Sequence, residues 1–252
     1  FGIVHRDMIR TFVEECTKSP EWLKRLGAEL VPHTSSIFPP APAVVFPHLP
    51  GADGIGPKRQ VKGTTGREAG GVNMWGLLSR NVEERKIEIL FSTAAKQLMM
   101  NENREVIGAI ADGPTGEIRV KSKRATIMTC GGFEFNTEMQ LQYLGLKFDA
   151  LGNPGNTGDG IKMAQEVGAD LWHMNGIACA IGYKVPELEA PIGSSMPAAG
   201  FIYVDQDGTR FMDDSGFDVH HFGMVLPYLD LKSLRRLRMP TYVIFDDDTR
   251  RA

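Results

Sequence analysis

The chain has few cysteines, no excess of basic charge and no long apolar run. Cys16, Cys130 and Cys179 are too widely spaced for a metal motif or a disulfide framework. That favours a reducing, cytoplasmic setting, although Phe1 is not a start residue and export stays open. Lysine and arginine number 28 against 31 aspartates and glutamates, so there is no basic field for nucleic acid or an anionic membrane. No stretch is long enough to span a bilayer, and no signal peptide opens the chain. The six histidines form no helical His-x-x-x-His, and the adjacent His220 and His221 point to opposite sides, so no metal site is expected. There is no Gly-x-Ser-x-Gly elbow, which argues against a hydrolase. Repeats and low-complexity tracts are absent.

Two nucleotide-binding turns are missing as well. Gly51-Ala-Asp-Gly-Ile-Gly56 has the wrong spacing for Gly-x-Gly-x-x-Gly and follows prolines rather than a strand. The stretch Gly63-Thr-Thr-Gly-Arg-Glu-Ala-Gly-Gly71 lacks the Lys and Ser/Thr that close a phosphate-binding P-loop.

What is present centres on residues 125–170. Ala125-Thr-Ile-Met-Thr-Cys-Gly-Gly-Phe133 predicts a buried strand that ends on two glycines, where backbone approaches another group without a Cβ between. Gly152-Asn-Pro-Gly-Asn-Thr-Gly-Asp-Gly160 opens a predicted helix over 161–167, which stops at Gly168. A loop at a helix N-terminus presents N–H groups to a phosphate or another electron-rich ligand, whereas the plain alternative is a tight turn.

Around this centre, 42% hydrophobic and 23% charged residues describe a soluble globular protein able to bury a core. Residues 5–16 predict a helix with Met8, Ile9, Phe12, Val13 and Cys16 on one face. Ser19 and Pro20 predict a cap and first turn for a second helix over 21–26, followed by a strand over 28–31. Seven prolines between Pro32 and Pro57 predict a long loop over 32–63. A helix over 72–85 places Met74, Trp75, Leu78 and Val82 on a core-facing stripe. A strand over 87–91 precedes an antiparallel meander of 96–100, 106–111 and 117–120, joined by Asn/Gly-rich turns. Further on, a hairpin pairs 201–204 with 210–212, helices cover 220–226 and 231–237, and a strand covers 241–245.

Thr126-Ile-Met-Thr-Cys-Gly-Gly-Phe133, Thr157-Gly-Asp-Gly-Ile-Lys-Met-Ala164, Val167-Gly-Ala-Asp-Leu171 and Ile202-Tyr-Val-Asp-Gln-Asp-Gly-Thr-Arg-Phe211 together resemble the flavoprotein family of fumarate reductases and 3-ketosteroid dehydrogenases. The likeness runs from about Pro20 to Asp246. It implies an α/β, mixed α+β fold: an incomplete Rossmann-like FAD-binding domain with an antiparallel meander over 1–170, and an α+β capping domain over 171–252. In that family the diphosphate turn lies N-terminal of everything seen here, so the chain is expected to be an internal piece, inactive alone.

The resemblance also carries site residues and a cofactor, FAD. Cys130, Gly131 and Gly132 match the strand-end glycine segment beside the cofactor, with Cys130 where the family usually has Thr. The competing reading of Cys130 is a buried, inert thiol. Asn156, Thr157, Gly158 and Asp159 match the Thr-Gly-Asp-Gly loop, and Ala95 matches a position whose backbone faces the adenine. Arg210 matches the Arg of Gly-x-Arg-Phe-x-Asn-Glu, a motif that resembles a proton-donor position. Asp213 and Asp214 replace its Asn and Glu, and Asp214 is a candidate relay. The competing reading pairs Arg210 with Asp214 on a hairpin surface. Tyr183 and Tyr203 are alternative acids, or packing residues.

Family reductases acting on fumarate place a Gln and a His in the stretch that here reads Met174-Asn-Gly-Ile-Ala-Cys-Ala-Ile181, and residues 174–200 carry Lys184 as their sole cation. A dicarboxylate needs cationic clamps. The expected activity is therefore reduction or formation of a C=C bond beside an electron-withdrawing group in an apolar, steroid- or enoate-like small molecule. The alternatives are a fumarate-type dicarboxylate reductase and a non-catalytic binding domain. The electron partner is unspecified.

Overall fold

The computed structural model describes residues 5–32, 59–62, 70–177, 182–188, 191–193, 200–213 and 222–251. Helices are mixed with short antiparallel sheets, in two compact units, Phe1–Ile89 and Leu90–Ala252.

In the first unit, α1 (Arg6–Cys16) forms as its periodicity predicts, but Met8, Ile9, Phe12 and Val13 are all exposed, so the apolar stripe is uncovered among the described residues. Helix α2 (Ser19–Arg25) starts one residue earlier than the proline suggests. Lys18 is its N-cap and makes no side-chain cap bond, so Ser19 is the first helical residue rather than the cap. Gly27 ends the helix with φ 88°. Strand β1 (Leu30–Pro32) pairs antiparallel with β2 (Arg59–Val61). The long predicted loop therefore ends in a strand, and most of the rest of it lies outside the described residues. Helix α3 (Gly70–Glu84) packs on β2. Leu77, Asn81 and Val61 are buried there, while Trp75, expected in the core stripe, is 73% exposed. The stripe is centred on Leu77 and Asn81, with Met74, Leu78 and Val82 at its half-buried margins. Asn81 Nδ2 donates to the carbonyls of Leu26 and Leu77, both at 2.9 Å, tying α3 to the end of α2.

In the second unit the meander forms as expected: β3 (Ala94–Met100), β4 (Val106–Gly113) and β5 (Gly116–Lys121) make an antiparallel sheet in that order. Leu98 and Ala111 supply its buried side. The expected strands at 87–91 and 125–130 are absent. Both segments are irregular and lack ladder partners among the described residues. A strand exists only where a neighbour satisfies its N–H and C=O groups, whatever its side chains prefer.

Helix α4 (Thr137–Leu144) was not foreseen from the sequence. Asn136 caps it by accepting from Met139 N at 3.0 Å, and Gly145 closes it at φ 69°. Asn136 with Glu138 in the first turn and Gly145 beyond the last was the signal to read. Helix α5 (Asp159–Glu166) follows the glycine loop and lies against β3. Its Met163 packs inward, and Met139, Leu146 and Ala150 are also buried in this unit.

Next, β6 (Gly182–Tyr183) pairs with β7 (Ile192–Gly193). The expected hairpin is replaced: β8 (Phe201–Val204) pairs along its length with β9 (Tyr242–Phe245), and Arg210 retains one isolated bridge to Val204. The distant Tyr-Val-Ile-Phe segment offers four apolar partners in register, whereas after Phe211 and Met212 the nearer segment turns acidic at Asp213. Helix α6 (Phe222–Val225) falls within the expected 220–226. Residues 231–237 form turns instead of a helix, with a bridge between Asp230 and Arg235. After β9, α7 (Asp247–Arg251) is capped by Asp246, which accepts from Thr249 N at 2.8 Å.

Candidate functional site

The glycine segment after residue 130 and the loop before α5 are joined into one structure. Gly158 N donates to Gly132 O at 2.9 Å, and Phe135 N donates to Asn156 O at 3.1 Å. Asn136 Nδ2 reaches Thr157 O at 2.8 Å while its Oδ1 caps α4, so one side chain fixes both the helix and the loop. Asn156 Nδ2 donates to Glu134 Oε1 at 2.5 Å, and Thr157 Oγ1 donates to Asp159 Oδ2 at 2.7 Å. Beneath them, the buried Gln140 bonds Glu134 O at 2.6 Å and both backbone groups of Phe148 at 3.1 Å.

The glycines are required by this packing. Gly131 has φ 76°, and a Cβ on it would stand 2.1 Å from Asn156 Oδ1. Gly158 has φ 81°, and a Cβ there would stand 2.3 Å from Met139 Sδ. Both positions need left-handed backbone and a missing side chain. The side chains of Asn156 and Met139 stand where a Cβ on Gly131 or Gly158 would point. Cys130 packs against Gly160 in the first turn of α5, yet is exposed rather than buried.

What remains open to a ligand is the row of backbone N–H groups at 130–134, together with those of the first turn of α5. Among the described residues none of those at 130–134 or 159–161 donates to an acceptor, whereas Lys162 N already bonds Gly158 O at 3.1 Å. These donors fit a group rich in oxygen or nitrogen acceptors. The side chains narrow the choice. Residues 130–136 and 152–160 contain Glu134 and Asp159 but no lysine or arginine. Two carboxylates with no counter-cation suit hydroxyl groups better than phosphate, as acidic side chains do when they bind a ribose.

Of the residues singled out from sequence, Cys130, Gly131, Gly132, Asn156, Thr157, Gly158 and Asp159 are brought together here. Ala95 lies in β3, the strand beside α5, paired with Ala111 just before a register shift. Glu134, Asn136 and Gln140, which organise the loops, were missed. Arg210 is elsewhere in the unit and half-exposed: Nε donates to Met212 O at 3.2 Å, and a terminal nitrogen is 4.0 Å from Asp213. Asp214 and the side chain of Tyr183 lie outside the described residues. Tyr203 is buried, with its ring edge-on to Phe201 at 5.5 Å, which is packing geometry. Lys184 Nζ donates to Leu188 O at 3.1 Å and lies 3.9 Å from Asp149. Among the described residues no group of acidic, His or Cys side chains is arranged for a metal ion, and no helix is long and apolar enough to cross a membrane.

A double loop joined by hydrogen bonds thus opens α5 beside an antiparallel meander. Residues 2–234 match the family model described as the FAD binding domain, and the chain belongs to that family. FAD is thereby the cofactor that its family binds. The chain is 25% identical over 250 residues to an NADH:fumarate oxidoreductase of Klebsiella pneumoniae, covering 96% of this chain and 24% of that protein. It is 35% identical over 101 residues to a 3-oxosteroid 1-dehydrogenase of Mycobacterium tuberculosis, covering 38% of this chain and 18% of that one. An open-conformation flavocytochrome c3 fumarate reductase superposes with a TM-score of 0.65 over 94% of this chain and 38% of its own, at 22% identity. The chain therefore spans about a quarter of the first of these relatives.

Proposed function

We propose that this chain forms part of a flavoenzyme that reduces or forms a C=C bond beside an electron-withdrawing group. In this reading residues 1–170 belong to an incomplete Rossmann-like FAD-binding domain and 171–252 to a capping domain over the substrate. The observation that carries it is the joined double loop of 130–136 and 152–160, with its unused N–H donors and its acidic side chains. Backbone donors at 130–134 bind acceptor atoms of the cofactor, while Asp159 and Glu134 accept from its hydroxyl groups. Cys130, Gly131, Gly132, Asn156, Thr157, Gly158, Asp159 and Ala95 are the proposed contacts. When bound, the flavin supplies hydride exchange with a substrate carbon.

The proton belongs to the chain's side chains. Arg210 is the proposed donor, with Asp214 as relay and Tyr183 as the alternative acid. The scarcity of cations across 174–200 favours an apolar enone- or steroid-like substrate over a dicarboxylate. The test is to reduce the flavin of the whole flavoenzyme that contains this chain under anaerobic conditions and follow its reoxidation by a cyclic enone and by fumarate. The enone should react at least about a hundredfold faster, the scale on which a site lacking charged partners rejects a polar analogue. Faster reoxidation by fumarate establishes the dicarboxylate reading instead, and reoxidation by neither removes C=C chemistry.

A further inference from the structure

The segment that carries Arg210 is tied to a second segment, 236–241, on both sides of that residue. Before Arg210, the turn after β8 is closed by the buried Asp205, whose Oδ1 accepts from Asp207 N at 3.0 Å and Thr209 N at 2.9 Å. Gln206 in that turn donates from Nε2 to Arg236 O at 2.9 Å and Met239 O at 2.8 Å. Its backbone N donates to Leu237 O at 2.9 Å. Three bonds from one residue thus fix the main chain of 236–239. Beyond Arg210, the tie is a side chain from the same stretch. The guanidinium carbon of Arg238 lies 4.8 Å from the centre of the Phe211 ring and 4.3 Å from that of Tyr228. A terminal nitrogen of Arg238 donates to Val225 O at 2.9 Å, and Thr241 Oγ1 donates to Arg238 O at 2.6 Å. A flat guanidinium suits this place, because it stacks on aromatic rings and still donates in its own plane. The neighbouring cations are engaged differently: Arg235 donates to Gln206 Oε1 at 2.9 Å and Arg236 to Pro227 O.

We propose that Arg238 is a positioning residue for proton transfer: it holds Phe211, and through Phe211 it fixes the direction in which Arg210 presents its guanidinium to the substrate. The proposal rests on the reading of Arg210 as the proton donor. Arg210 is half-exposed, bridged to Val204 through its backbone, with its Nε turned onto Met212 O at 3.2 Å. Its aim therefore follows the path of the backbone through 210–212, and that path depends on where the Phe211 ring is held. Arg238 is itself placed by the Val225 carbonyl, the Tyr228 ring and a main chain bonded to Gln206, so it serves as a fixed point. It gives up no proton and contacts no substrate. What it supplies is geometry, and a reacting group displaced by about 1 Å loses on the order of a hundredfold in rate.

The test is a double-mutant cycle on the whole flavoenzyme that contains this chain, with kcat, KM and flavin absorbance measured for each variant. Arg238→Met should lower kcat about tenfold or more, with KM changed less than about twofold and flavin content unchanged. In the Arg210→Lys background the same change should lower kcat by less than about twofold, since a residue that acts only through Arg210 has nothing left to position. Equal falls in both backgrounds show that Arg238 acts independently of Arg210 and overturn the proposal. A rise in KM with kcat intact makes Arg238 a substrate contact and overturns it too. Phe211→Leu keeps apolar bulk but removes the ring, and should reproduce the fall in kcat. It supplies the reading where Arg238→Met does not fold, and unaltered turnover in Phe211→Leu overturns the proposal. Normal turnover in Arg210→Lys removes the donor role and the positioning role with it. Slow turnover in Arg210→Lys beside normal turnover in Arg238→Met refutes the positioning alone.

Discussion

Arg210 is the residue on which a catalytic and a structural account diverge most sharply. A guanidinium is a poor acid because of its high pKa, so as proton donor it depends on geometry and on a carboxylate that returns the proton. Its Nε is engaged with Met212 O and its terminal nitrogens face Asp213, an arrangement that equally serves a surface turn. Replacing Arg210 with Lys keeps the charge but loses the planar, multi-donor head. If Arg210 donates the proton, substrate reduction by the full-length flavoenzyme should fall by about two orders of magnitude or more, with flavin content unchanged. If it only braces the turn, the change costs less than about 1 kcal/mol of stability and turnover is intact. Steady-state turnover measured beside the flavin absorbance separates the two, and unaltered turnover passes the proton to Tyr183 or to another side chain.

Among the elements, the meander is the most self-sufficient, and its charges make it sensitive to acid. Lys96 lies 2.7 Å from Asp112 and 3.2 Å from Glu117, and Arg119 is 3.1 Å from Glu117. The hydrogen bond from Lys96, and then the one from Arg119, hold the Glu117 carboxyl below its ordinary value of 4.5. A lowered carboxylate pKa contributes stability above the ordinary value and loses it as pH falls through the folded-state value. The urea midpoint should therefore drop between pH 5 and 3 by more in the native chain than in Glu117→Gln, with the difference shrinking in high salt because the pairs are exposed. This meander was legible in advance, since alternating strands with Asn- and Gly-rich turns need only local partners. Strands 87–91 and 125–130 carried equally strong apolar patterns but did not form, because a strand's partner is not written in its own residues. Trp75 was placed in the core on periodicity alone, and a shift of the buried stripe toward Leu77 and Asn81 moved it to solvent. In the site, the glycines, the helix opening and the Asn136 cap were readable, whereas the bonds of Glu134 and Gln140, and the one from Asn136 to Thr157, cross chain separations that no spacing rule specifies.

For the whole molecule, the decisive quantity is how much of the cofactor these residues can hold. The double loop offers backbone donors and carboxylates, a combination suited to hydroxyl and ring acceptors. It has no cation for a diphosphate, and the N-terminus of α5 already faces the Asp159 carboxylate, which offsets the helix dipole there. The diphosphate carries the formal charge of FAD, and its usual partner is a glycine-rich turn whose N–H groups and helix dipole act together. That turn is absent from the sequence. The chain on its own should therefore bind FAD more weakly than about 10 μM, which is less than about 7 kcal/mol of binding free energy. Equilibrium dialysis against FAD, with adenosine and riboflavin in parallel, measures this directly. Comparable weak affinities for FAD and for one of the two fragments agree with a site that contacts hydroxyl and ring but not phosphate. Low-micromolar or tighter binding of FAD alone shows instead that a diphosphate site does exist within these residues, and the described loops are then the first place to seek it.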